Sequence, residues 1–369
     1  AKALEDKFGT EVNVGKINLG FLNRIIIDDF NMLDKKSHEM FHAARLSVSI
    51  NVFSLINGEI TISSAQVLGL KANLYQESAN SQPNYQFVVD SLKSKDNSKS
   101  ELNLHIGSFI IRNGSVKYNK YFVSATPRKF NVSHINLTNI SSDIRIKQIT
   151  NDNLKLEVKK ISFKEHSGLT LKNLSFILAA DKTHATLKGF KLEMPSSSIS
   201  SDSITANYTI RRNGEIDMNQ LSSVGKINSE GIVPSDLSFI LPELKNYSIP
   251  MKLNVSYKLN NGKLNVSNIS LFSIDNSIRL TANGYVSTFN KAHDWNINIK
   301  NFHVGESFLN NLFNTAAALK LSLPNPILNI KKLDVYGKAW GKANKLYAKA
   351  ALRTNFGEIR TDIHKDYNN

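Results

Sequence analysis

Along most of this chain apolar and polar residues alternate with a period of two, and few stretches repeat at the helical spacing. The pattern is plainest in Leu253 to Leu259 (LNVSYKL), Lys263 to Leu271 (KLNVSNISL), Trp295 to Ile299 (WNINI) and Lys155 to Phe163 (KLEVKKISF). Successive side chains of a strand project to opposite faces, so each segment makes one apolar and one hydrated face. The pattern predicts an all-β chain of half-buried antiparallel strands. Asn-Gly dipeptides tolerate the positive φ angles of tight two-residue turns. Asn57-Gly58, Asn113-Gly114, Asn213-Gly214, Asn261-Gly262 and Asn283-Gly284 are therefore read as hairpin turns, as in Phe109 to Tyr118, Ala206 to Met218 and Val255 to Val266.

Helical candidates are short: Ala1 to Phe8, one turn at Val52 to Ile56, Tyr85 to Leu92, and Pro234 to Leu244, which Pro242 limits. Residues 92–101 are polar and read as a loop. So few helices cannot cover the apolar faces of so many strands, and what does cover them becomes the functional question.

Composition narrows the answer by exclusion. A hydrophobic fraction of 41% is enough for folding, and Asn and Ser fill the polar strand positions, a bias attributed to genome composition. The absence of cysteine rules out disulfides and thiolate metal sites. A net charge of +15 would suit an anionic partner. The cations are scattered, however, and the densest run, Lys331 to Arg353, alternates them with apolar residues as the wet side of a strand would. No RNA-recognition signature, zinc finger or recognition helix is present, so nucleic acid is not an expected partner.

His38-Glu39-Met40-Phe41-His42 spells the zinc-protease signature, whose mechanism needs both imidazoles on one face of a helix. Here the segment runs into the alternation of Leu46, Val48 and Ile50, and on a strand residues i and i+4 lie about 13 Å apart, too far for one zinc ion. The other histidines are dispersed, no phosphate loop or nucleophile elbow occurs, and Asp28-Asp29 reads as a solvated turn. The expectation is a non-enzymatic protein with no cofactor.

The first hundred or so residues resemble the N-terminal unit of the AsmA-like and TamB family of Gram-negative envelope proteins. The likeness rests on the order of Leu4 to Phe8, VNVGKINL (Val12 to Leu19), IIIDDFNMLD (Ile25 to Asp34), RLSVSINVFSLINGEITI (Arg45 to Ile62) and AQVLGLKANLY (Ala65 to Tyr75). Ser235 to Leu271 resembles the family's inner repeat, a short Asp- and Pro-bearing helix before a hairpin, and Leu352 to Ile363 its later strand. The resemblance implies an extended, twisted antiparallel β-taco, a groove built of repeated hairpins with a few short helices. It divides the chain into an AsmA-like unit (1–121), a middle repeat region (122–233) and a TamB-like region (234–369). It also implies a periplasmic body held at the inner membrane by an anchor preceding AKALEDKFG, with more repeats following.

What the resemblance implies for function is phospholipid transport between the membranes, or assembly of outer-membrane β-proteins with an outer-membrane β-barrel partner. Alternation and resemblance together nominate acyl-chain contacts at Leu102, Leu104, Ile106, Leu154, Leu156 and Val158. In the later repeats they nominate Leu253, Val255, Tyr257, Leu264, Val266, Ile278, Leu280, Trp295, Ile297 and Ile299. The same positions would serve the core of a closed sandwich, the basis of an alternative reading as a periplasmic or surface β-sandwich or solenoid scaffold for protein or glycan. A one-residue slip in register would exchange one face for the other.

Overall fold

A computed structural model of the chain describes residues 2–20, 23–50, 61–93, 105–127, 129–149, 152–212, 215–287, 294–318, 321–342 and 345–366. The protein is all-β with a few short helices, as the alternation predicts, and its strands make open, twisted sheets. It divides into two compact units. Unit 1 comprises residues Ala1–Ile149 and Lys155–Ser175, and unit 2 residues Thr150–Leu154 and Phe176–Asn369.

Unit 1 opens with α1 (Lys2–Phe8), followed by β1 (Val12–Gly20), β2 (Arg24–Leu33), β3 (Glu39–Ile50) and β4 (Thr61–Gln76), each antiparallel to the one before. After α2 (Gln86–Lys93), β5 (His105–Ile106) and β6 (Ser108–Lys120) lie parallel to β4, and β7 (His134–Ile149) returns antiparallel. The parallel step departs from a pure hairpin series. The connection between β4 and β6 is long enough to carry a helix back along the strand, which parallel pairing requires. Val12, Met32 and Met40 form a buried core, flanked by Leu4 and Phe8 of α1 and by Phe87 and Val88 of α2.

Within this unit the period of two is broken once per strand at a common level. Asp29, Gly69, Asn113 and Asn139 have positive φ of 58°, 66°, 55° and 54°. On either side of that level the register matches apolar to apolar: Ile27 with Leu46, Leu46 with Val67, Val67 with Ile111, and Met32 with Phe41, Phe41 with Ala72, Ala72 with Val116. A left-handed residue inserts the half-step that keeps apolar residues on one side while the strand coils. Asn113-Gly114 is therefore no hairpin: Phe109 to Tyr118 is one continuous strand, because Asn and Gly suit a bulge as well as a turn. Asp28-Asp29 likewise sits inside β2 and not in a turn, with Asp28 2.6 Å from Arg45 Nε and Asp29 2.9 Å from His42 Nε2.

β8 (Asn153–Glu165) and β9 (Thr170–Asp181) precede the meander of unit 2. There β10 (His184–Glu193), β11 (Ser198–Asn207), β12 (Ser222–Ile232), β13 (Met251–Asn260), β14 (Lys263–Ser273), β15 (Ile278–Ser287), β16 (Trp295–Gly305), β17 (Lys332–Lys342), β18 (Lys345–Thr354) and β19 (Gly357–Asp366) pair antiparallel in chain order.

Asn261-Gly262 closes the expected two-residue hairpin, with φ of 46° and 75° between the paired Asn260 and Lys263. Asn283-Gly284 instead lies inside β15, where a Cβ on Gly284 would overlap the Asn296 carbonyl of the neighbouring strand. An isolated bridge between Ile210 and Ile216 flanks Asn213-Gly214, which with Asn57-Gly58, the turn at Val52 to Ile56 and residues 94–104 lies outside the described residues.

After a 3-10 turn η1 (Met218–Gln220) ahead of β12, the segment Pro234 to Leu244 forms two more, η2 (Pro234–Leu237) and η3 (Pro242–Asn246), because Pro242 supplies no N–H for a continuous helix. Between β16 and β17 lie α3 (Glu306–Ala318) and α4 (Asn325–Leu328), which the strand pattern did not announce. The helical spacing of Phe308, Leu309, Leu312, Phe313 and Ala316 behind Glu306 is the signal that marks α3.

Candidate functional site

The register of unit 2 sorts its side chains cleanly. One row runs Leu253, Leu271, Leu280, Phe302, Val335, Leu352 and Ile359, each paired with the next across a strand boundary. The next runs Ile227, Val255, Ile269, Ala282, Ile299, Gly337 and Ala350, and a third Tyr257, Val266, Gly284, Ile297, Ala339, Ala348 and Ile363. A fourth joins Leu259, Leu264, Val286, Trp295, Gly341 and Leu346, and Ile278, Val304 and Leu333 make a shorter fifth. Directly paired residues project to the same side of a sheet, so these rows form one apolar face from β12 to β19. Along the surface that face spans roughly 34 Å, at ~4.8 Å per strand.

Bulges hold the phase. β14 takes an extra residue between Val266 and Ile269, and β16 one between Ile299 and Phe302, and in both strands the apolar residues beyond the bulge rejoin the same rows. Two aromatic rings on the face lie against glycines of the adjoining strand. A Cβ on Gly341 would overlap the Trp295 indole, and one on Gly225 would meet the Tyr257 ring at 2.8 Å.

The opposite face is polar. Asn254 donates from Nδ2 to Asn228 at 2.6 Å, and Asn268 donates to Asn254 at 3.4 Å, which links β12, β13 and β14 through side-chain amides. Asn298 repeats the contact to Asn283 at 3.2 Å. The strand asparagines therefore have a structural use that their attribution to genome composition missed. The alternating cations Lys338, Lys342, Lys345, Lys349 and Arg353 all fall on this side, as the basic run's pattern implies, with Lys349 2.9 Å from Asp362. Among them Trp340, Tyr347 and His364 stack across three strands, with ring centroids 5.3 Å and 4.5 Å apart.

Burial differs along the apolar face. Met251, Ile278 and Val304 are buried at the end where η2, η3 and α3 sit, and those connections contribute buried Phe239, Tyr247 and Leu309. Tyr247 lies 5.3 Å from Phe308, ring to ring, and its hydroxyl is 3.0 Å from Thr315 Oγ1. Away from that end Leu253, Val255, Tyr257, Leu264, Val266 and Leu280 are only half-buried, and Ile297 is 47% exposed. The core of a closed sandwich would bury such residues fully.

All the residues nominated from Leu253 to Ile299 thus lie on one face. Of the earlier nominations, Leu154, Leu156 and Val158 share one side of β8, with Val158 buried and the others half-buried. Ile106 pairs by its backbone with Ile62 in the short β5, and Leu102 and Leu104 lie outside the described residues.

The zinc-protease spelling runs from His38, just before β3, into that strand and not along a helix, as its apolar alternation indicates. Met40 is buried in the core, His38 Nδ1 lies 3.1 Å from the Tyr75 hydroxyl, and His42 Nε2 turns to Asp29. Among the described residues no group of His, Asp and Glu side chains is arranged to hold a metal ion. Unit 1 also has a concavity lined by Asp34, Tyr75, Asn84 and Phe87 among others. Asp34, 2% exposed, accepts hydrogen bonds there from Tyr75 at 2.7 Å, from the backbone N–H groups of Lys36 and His38 at 2.8 and 3.0 Å, and from Asn84 at 3.2 Å. Burial alone would raise this carboxyl, but the hydrogen bonds from Tyr75, His38, Lys36 and Asn84 outweigh it and hold the group below the ordinary range. Burial and the Asp34 charge push the Tyr75 phenol up.

No protein-family model, curated protein or solved structure matches the chain. Among the described residues no helix is long and apolar enough to cross a membrane.

Proposed function

We propose that unit 2 binds lipid acyl chains along its apolar face, which acts as a furrow in a non-enzymatic phospholipid conduit of the bacterial envelope. The observation that carries the reading is the continuity of apolar rows from β12 to β19 combined with their partial exposure. Apolar area left in water is unfavourable, and an acyl chain laid in the furrow gains about 0.8 kcal/mol per buried methylene. One leaflet's chain is about 15 Å long, half of a ~30 Å hydrocarbon core, so the rows are long enough to hold a chain at full extension. Sliding along the rows requires no reacting group. The resemblance to AsmA-like and TamB proteins supplies the setting: a periplasmic body anchored at the inner membrane, with phospholipid as cargo or outer-membrane protein assembly as the task.

Mass spectrometry of organic extracts from the purified chain tests the reading, together with photo-crosslinking from Val255 and Leu280 in cells. Phospholipid recovered in the extract and captured at both positions is the expected result. Lipid-free extracts from repeated preparations would sink it. They would favour a glycan- or protein-binding scaffold, to which the Trp340, Tyr347 and His364 stack on the polar face offers an aromatic contact surface.

A further inference from the structure

The connections at one end of unit 2 share a property. β12 leads to β13 through η2 and η3, β14 to β15 through residues 274–277, β16 to β17 through α3 and α4, and β18 to β19 through Asn355 and Phe356. Antiparallel order brings all of these to the same end, where Met251 pairs with Ser273, Ile278 with Val304 and Leu333 with Thr354. Each exposes large apolar side chains: Ile240 and Leu241 in the first, Ile274 (63%) in the second, Leu312 and Leu328 in the third, Phe356 (65%) in the fourth. Turn tips are ordinarily polar, as the Asn261-Gly262 turn at the other end is, where the connection between β11 and β12 alone among the described residues exposes Ile210, Ile216 and Met218. Since Phe239, Tyr247 and Leu309 in the first and third connections are buried, those two segments are apolar on two sides, one toward the sheet and one away from it.

Charge is sparse here. Residues 233–250 carry only Asp236, Glu243 and Lys245, residues 274–277 only Asp275, residues 306–331 only Glu306, Lys320 and Lys331, and Asn355 and Phe356 none, so acids and bases nearly balance. The net basic charge of the chain is therefore not concentrated at this end, and its tips can enter an apolar phase without stranding ions there.

We infer that this end of unit 2 docks on a phospholipid bilayer, with Ile240, Leu241, Ile274, Leu312, Leu328 and Phe356 entering the boundary between headgroups and acyl chains. The apolar groups come from separate turn tips in a row along the sheet end, an arrangement that a fluid planar surface accommodates without a shaped pocket. The furrow rows run parallel to this end, and the row of Ile278, Val304 and Leu333 borders it, so a docked bilayer would lie alongside the length of the furrow. The inference deepens the acyl-chain reading and rests on it for its purpose, although the docking is measured independently.

Flotation of the purified chain with phosphatidylcholine vesicles tests it. The wild type floats, and high salt leaves the bound fraction unchanged, because apolar contacts are not screened. Leu241→Asp with Ile274→Asp, both at exposed positions, lowers the partition at least about tenfold. Ile210→Asp with Met218→Asp, exposed in the connection at the opposite end, floats like the wild type.

A wild type that stays at the bottom, binding that salt abolishes, or equal loss in both double variants would overturn the inference. So would self-association that Leu241→Asp removes in a chain that never binds vesicles. A chain that floats yet yields no lipid on extraction overturns the furrow and leaves the docking. A lipid-loaded chain that does not float does the reverse.

Discussion

Trp295 lies directly over Gly341. The two are register partners on β16 and β17, and the indole occupies the space that any β-carbon at position 341 would need. The ring fills what would otherwise be a notch in the apolar face, a use of glycine that depends on close approach and not on unusual backbone angles.

Gly341→Ala is therefore expected to destabilise unit 2 by about 2 kcal/mol through overpacking. Trp295→Ala should remove most of that penalty in the double variant, since the clash needs both groups. Urea denaturation of the single and double variants measures the coupling, and additive effects would show that the ring does not occupy the glycine site.

Ile297 stands in the third apolar row and is 47% exposed. Ile297→Asp should leave the circular dichroism spectrum and the melting temperature nearly unchanged. It should reduce co-extracted phospholipid several-fold, because a carboxylate in the row must be desolvated when an acyl chain covers it. Undiminished lipid would remove this position from the binding face.

Asp34 ties the β2–β3 turn to Tyr75 and Asn84, which lie far along the chain. Its folded pKa is lowered, so its contribution to stability is complete above the unfolded carboxylate value near 4 and is lost as the pH falls through the folded value. Asp34→Asn should cost about 2 kcal/mol at pH 7 by leaving donors poorly satisfied. The gap from the wild type should narrow in acid below about pH 4. Denaturant midpoints across that range decide it, and a pH-independent gap would contradict the charged role.

Tyr247 joins η3 to α3 through Phe308 and Thr315. Tyr247→Phe should cost about 1 kcal/mol for the lost hydrogen bond, and Tyr247→Ala about 4 kcal/mol for the cavity. Thermal melts of the two variants separate these contributions. Equal effects would mean that the ring carries no packing energy.

Much of the fold was legible because a period of two is a local property. Leu253, Val255 and Tyr257 alternate with Lys252, Asn254 and Ser256 whatever the rest of the chain does, and that alternation was enough to predict strands and to name residues sharing a face. Asn261-Gly262 was readable for the same reason, since both turn residues accept positive φ. Asn113-Gly114 and Asn283-Gly284 are not turns because the same tolerance also serves a bulge and a close strand approach, and the dipeptide does not distinguish them. The helix α3 lies between alternating strands, and its only local mark is the apolar spacing of Phe308, Leu309, Leu312 and Phe313.

The sequence by itself determined that the chain is all-β, that its strands are two-faced and that its basic run from Lys331 to Arg353 belongs to a hydrated side. Only the tertiary structure decided that Val255, Ile269, Ala282 and Ile299 line up as one row, that bulges near Ser267 and Lys300 keep them in phase, and that connections cover one end of the face while its middle stays half-open. Which residues alternate is written into each strand, but which strands share a register, and what covers their apolar side, depends on pairing between segments that only folding brings together.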